Sequence, residues 1–95
     1  MSIARVVTFD GVSAQRMEEM RGRMQDGEQP EGLPATEILV MHDPDAEKAV
    51  VVLFFDNDED YRRGDEVLSA MPASDTPGQR SSVTRYDVPV HMTAT

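Results

Sequence analysis

With 95 residues, no cysteine and a formal charge of −9, the chain fits one small domain, residues 1–95, and has no thiol for a disulfide framework, a thiolate zinc site or a cysteine nucleophile. Eighteen acidic residues against nine basic ones argue against nucleic acid or an anionic membrane surface as partner, because binding to a polyanion is driven by Lys and Arg displacing counterions. A chain this short buries only about 60 to 68% of its unfolded surface, so oligomerisation would add stability.

The N-terminus, Met1 to Arg5 (MSIAR), lacks the apolar run and small-residue cleavage site of a secretory signal, and a cytoplasmic location is expected. Residues 3–9 (IARVVTF) are β-rich and end in the turn chemistry of Asp10-Gly11, which predicts strand β1. Ser13 can cap a helix, α1, in which Ala14, Met17, Met20 and Met24 recur at three- and four-residue spacing while Glu18, Glu19, Arg21 and Arg23 fill the other face. Residues 26–34 (DGEQPEGLP) hold two Gly and two Pro and predict a loop that no helix crosses. Residues 35–42 (ATEILVMH) and 48–55 (KAVVVLFF) predict strands β2 and β3 around a hairpin turn, Asp43-Pro44-Asp45-Ala46-Glu47. The longest apolar run, Ala49 to Phe55, has seven residues, far short of the roughly 20 that span a bilayer as a helix.

Asp56 or Asn57 caps the next helix, α2, whose first turn is crowded by Asp58, Glu59 and Asp60, where the positive end of the helix dipole favours acids. Tyr61, Gly64, Leu68 and Met71 form its apolar stripe, and Pro72 is expected to stop it. Residues 72–80 (PASDTPGQR) predict a second loop. Residues 82–92 (SVTRYDVPVHM) predict β4, with Tyr86, Val88, Val90 and Met92 alternating against Arg85, Asp87, Pro89 and His91. A strand that carries proline belongs at a sheet edge.

Two β-α-β units interrupted by a hairpin predict an α+β, ferredoxin-like βαββαβ protomer. Right-handed crossovers place both helices on one face of a four-stranded antiparallel sheet of order 4-1-3-2. In β3 both alternating sets are apolar, Ala49/Val51/Leu53/Phe55 and Val50/Val52/Phe54, the pattern of a strand covered on both faces. Helices on one side cover only one of them. The economical cover for the other is a second copy of the chain, sheet against sheet, in a closed two-fold dimer.

Three passages, TFDGVSAQRMEEM, KAVVVLFF running into FFDNDEDYRRGDEVLSAMP, and the closing RYDVPVHM, together resemble the dimeric α/β barrel superfamily and, within it, the antibiotic biosynthesis monooxygenase-like proteins. The resemblance covers nearly the whole chain. It implies a homodimeric barrel and a site between helices and sheet for a hydrophobic ligand, in a family that includes cofactor-free oxygenases of aromatic polyketides, haem-degrading enzymes and small isomerases or cyclases. The Trp that several members use is absent here, and no catalytic residue transfers by motif.

The candidate residues therefore rest on their own chemistry. His is the side chain best suited to proton transfer near neutral pH, and the chain has two. His91, on the polar set of β4 with Arg85 and Asp87, is the first candidate base or else an exposed or interfacial residue. His42, beside Asp43 and near Asp45, is the second; one turn rarely supplies the three converging ligands of a metal site, so no metal is expected there. Arg5, in mid-strand with Ile3, Val7 and Phe9, must find a carboxylate if buried, and Asp87 on the neighbouring strand is the expected partner. It reads either as an ion pair fixing the dimer or as an anchor for developing oxyanion charge. Tyr61 and Tyr86 are expected to face the space between helices and sheet, as core residues or as walls of a ligand pocket, and the Met stripe of α1 fits either account.

Two motifs fail on inspection. Asp56-Asn57-Asp58-Glu59-Asp60 starts like a calcium loop, but Tyr61 stands where Gly is needed and Val67 where a bidentate Glu is needed. The βαββαβ order is also that of an RNA-recognition module, yet the basic-glycine-aromatic signature is missing from β3 and the net charge has the wrong sign. Two functions remain: a cofactor-free, monooxygenase-like enzyme or binder of a small hydrophobic or aromatic molecule, needing no cofactor, and a non-catalytic dimerisation or interaction module. A cavity of about a few hundred Å³ between helices and sheet, with a His and a Tyr or Arg converging in it, would favour the first.

Overall fold

The computed structural model describes residues 2–25, 32–71 and 78–92. Its element order is β1 (Ser2–Asp10), α1 (Ala14–Gln25), β2 (Glu37–Asp43), β3 (Lys48–Phe55), α2 (Asp58–Ser69) and β4 (Gln79–Val88). The strands form one antiparallel sheet of order β2-β3-β1-β4, the ferredoxin-like arrangement expected from the element order, read from the opposite edge. Much of the two predicted loops, and with them the expected helix stop at Pro72, lie outside the described residues. Among the described residues, no helix is long and apolar enough to cross a membrane.

Both helices start where side-chain caps replace missing backbone partners. The Arg16 amide donates to Ser13 Oγ at 3.2 Å at the start of α1, and the Asp60 amide donates to Asn57 Oδ1 at 2.8 Å at the start of α2. Asn57 is thus the α2 cap, and the acids that follow it are first-turn residues, as the failed calcium-loop pattern implied. In the β2–β3 turn the Asp43 Oδ1 accepts from the amides of Asp45 (3.1 Å) and Ala46 (3.2 Å), an Asx turn that uses the carboxylate structurally.

Register assigns every strand residue to a face. Pairings Arg5↔Leu53, Val7↔Val51, Ile38↔Leu53 and Val40↔Val51 put Ile3/Arg5/Val7/Phe9, Ala49/Val51/Leu53/Phe55 and Ile38/Val40/His42 on the helix side. There Val7, Phe9, Val12, Ala49, Val51, Leu53 and Phe55 form the buried core, against which Met17, Met20, Tyr61 and Leu68 of the helices pack. Phe55 is fully buried, with the Tyr61 ring edge-on at 5.6 Å.

The opposite face carries Ala4, Val6 and Thr8, the second β3 set Val50/Val52/Phe54, and Leu39 and Met41 of β2. Leu39 and Met41 are each 47% exposed. Strand β4 departs from expectation in phase and in length. Tyr86 pairs with Ala4, and Arg85 with Arg5, so Tyr86 lies on the outward face and Arg85 on the helix side, the reverse of the expected orientation. Alternation fixes which residues share a face but not which face is inside, and an edge strand with mixed sets leaves that to pairing. The strand stops at Val88, opposite Ser2 at the start of β1. Pro89, with no N–H to donate, follows immediately.

Candidate functional site

The expected site residues separate into three places. The first is a pocket of about 380 Å³ between α1 and β2, lined by Met17, Met20, Arg21, Met24, Val40 and His42. Three methionines reach it because positions 17, 20 and 24 fall on one face of the helix. Val40 and His42 reach it because they alternate onto the helix side of β2. The volume lies within the range of small-molecule sites.

His42 is held by backbone chemistry. Its Nε2 lies 2.9 Å from the Val12 carbonyl oxygen, while the Val12 amide donates to the Glu47 carbonyl at 2.7 Å. Both polar groups of the fully buried Val12 are thereby taken by the β2–β3 hairpin. A carbonyl oxygen only accepts, which assigns the ring proton to Nε2 and leaves Nδ1 of the neutral ring as a bare acceptor. Asp43 and Asp45, imagined beside His42 as ligands, belong to the Asx turn. Among the described residues, no three His, Cys, Asp or Glu side chains are grouped so as to hold a metal ion.

The second place joins Arg5 to Tyr61. The Arg5 Nε donates to Asp65 Oδ1 of α2 at 2.9 Å, and the Arg5 side chain is 3% exposed. Asp87, the expected partner, is exposed on β4 opposite Ile3; Arg5 sits under α2, so the helix and not the neighbouring strand supplies its carboxylate. Arg5 also faces away from the outward sheet face, which removes it from any sheet-to-sheet interface. Above this pair, Arg85 lies 5.0 Å from the Tyr61 ring centroid and bonds Asp58 in the first turn of α2. Burial, followed by the nearby Asp65 charge, pushes the Tyr61 phenol above its usual range, against the opposing pull of Arg5 and Arg85. The Arg5 Nη2 is buried without an acceptor.

The third place is the outward face. His91 lies beyond the end of β4, away from Arg85 and Asp87, and stacks on Phe54 with ring centroids 4.7 Å apart and planes 15° from parallel. Its Nε2 is 3.4 Å from Glu37 Oε2. Tyr86, 55% exposed, shares this face. The structure therefore brings Arg5 and Tyr61 together, and His91 and Tyr86 onto one face, while His42 stands with the Met stripe.

Sequence reasoning missed Arg21 and Asp65. Arg21 falls one turn from both Met17 and Met24, at the border of the stripe, and Asp65 falls one turn after Tyr61 on the buried side of α2. An acid inside an apolar helical stripe and an Arg inside an apolar strand set were the available signal for the second pair. Compared with models of protein families and with curated proteins, the chain matches none.

Proposed function

We propose that this chain binds a small hydrophobic or aromatic molecule in the pocket between α1 and β2, with His42 as the polar group that reads or deprotonates it. The observation that carries this reading is the lining: three thioether side chains and Val40 make an adaptable apolar wall, and His42 enters it with its Nε2 already committed to Val12. Of the two histidines, His42 is the one that lines this pocket, so it replaces His91 as first candidate base. In the catalytic form of the proposal, suggested by the resemblance to antibiotic biosynthesis monooxygenase-like proteins, Nδ1 takes a proton from the bound molecule, as a cofactor-free reaction requires. Arg5 and Tyr61 then support the fold beside the site.

The neutral fluorophore N-phenyl-1-naphthylamine tests it. The expected result is saturable binding that Met20→Trp, which fills the pocket, weakens at least ten-fold and that Leu39→Ser on the outward face leaves unchanged. Binding indifferent to Met20→Trp, or none, contradicts the proposal.

A second reading, that the chain is a homodimer through the outward sheet face, is favoured by the exposed Leu39, Met41 and Tyr86 beside Phe54 and Val50. It is compatible with ligand binding, and without a ligand it is the interaction-module function.

A further inference from the structure

We propose that the molecule taken by the α1–β2 pocket is a small apolar monocarboxylate and that Arg21 is the residue that selects its charge; this rests on the pocket reading above. Among the described residues, the pocket is lined by four apolar side chains and two polar ones, Arg21 and His42. Among the described residues no acid lines it, although eighteen of the 95 residues are acidic and the formal charge is −9. A chain that repels anions in general thus presents a cation at the rim of its apolar pocket.

Arg21 is free to change partners. Its Nη1 is 3.7 Å from Glu18 Oε2 within the same helix, and the two side chains are 62% and 71% exposed. Such a loose, solvated pair holds its partners only weakly. A ligand carboxylate held by its apolar body against Met17, Met20 and Met24 meets the guanidinium in a less hydrated setting, where it can accept two parallel N–H bonds. His42 lines the same pocket with its Nε2 turned to the Val12 carbonyl, so the guanidinium of Arg21 is the lining group that meets the carboxylate. A single guanidinium suits a monoanion better than a phosphate or a dicarboxylate, and the pocket of about 380 Å³ suits a medium-chain or monoaromatic body.

Decanoate and decanamide, which share a chain and differ in charge, compete for the pocket with N-phenyl-1-naphthylamine. The expected result is that decanoate displaces the fluorophore with an affinity about ten-fold above decanamide, that Arg21→Gln abolishes the difference, and that Arg21→Lys restores part of it. Equal competition by the two ligands overturns the charge selection and leaves the pocket reading standing. Failure of both to compete while the fluorophore still binds also overturns the proposal, and a preference that survives Arg21→Gln removes Arg21 from it. Failure of the fluorophore itself to bind overturns the pocket reading and this one together.

Discussion

Arg5 shows how one buried charge is tolerated in a small core. It is 2% exposed as a residue, and its bond to Asp65 runs to a carboxylate that is still 44% exposed. The partners are therefore unequal. Asp65→Ala leaves a guanidinium buried without its acceptor and is expected to cost about 2 to 4 kcal/mol, whereas Arg5→Met fills the same space with an apolar chain and leaves Asp65 to water, costing under about 1 kcal/mol. Urea denaturation at neutral pH measures both; an Arg5→Met chain less stable than Asp65→Ala would contradict this. That Arg5 would be buried and would need a carboxylate was legible from its place among Ile3, Val7 and Phe9. Which carboxylate was not, because Asp65 and Asp87 are equally acidic in the sequence and only helix packing chooses between them.

Of the two helices, α2 is held closer to the core, and Gly64 is its point of closest approach. A Cβ at position 64 would overlap Phe55 Cε1 and stand 2.6 Å from Cζ of the same buried ring. Gly64→Ala should thus destabilise by about 1 to 3 kcal/mol despite the roughly 1 kcal/mol that Ala gains over Gly in a helix. Gly22 of α1 has nothing within 4 Å of the same position, and Gly22→Ala should raise stability by up to about 1 kcal/mol. Matching urea midpoints for the two variants would count against this account of α2 packing. The contrast fits the pocket, which lies under α1 and not under α2. The strands were legible where a residue set had one character throughout: β3 is apolar from Ala49 to Phe55 and matched its expected bounds, Lys48–Phe55. In β4 the sets Ser82/Thr84/Tyr86 and Val83/Arg85/Asp87 are both mixed, so the register with β1, including its irregularity between Thr8 and Phe9, had to decide the phase.

For the molecule as a whole, the two apolar faces of β3 have different fates within one chain. The helix-side set is buried in the core, while the outward set has Leu39, Met41 and Tyr86 beside it in contact with water. An apolar face of this kind is the surface a two-fold partner would cover. Sedimentation equilibrium at micromolar concentration should find a dimer, and Met41→Asp, which places a carboxylate on that face, should yield a folded monomer; a monomeric parent chain would refute the sheet-to-sheet assembly. The proposed ligand pocket stands apart from this face, on the helix side of the sheet, and its position was only half legible. The stripe Met17/Met20/Met24 was visible as a periodicity, but nothing in the sequence shows that α1 leaves a gap over Val40 and His42 where α2 closes on Phe55.

The seven methionines make that gap directly observable. In protein labelled with carbon-13 at the methionine methyl groups and titrated with N-phenyl-1-naphthylamine, a ligand in the α1–β2 pocket should shift the Met17, Met20 and Met24 signals to saturation at one equivalent while Met41, on the outward face, and Met92 stay in place. Shifts confined to Met41 and Met92, or no saturable shift at Met17, Met20 and Met24, would contradict the assignment of ligand binding to this pocket.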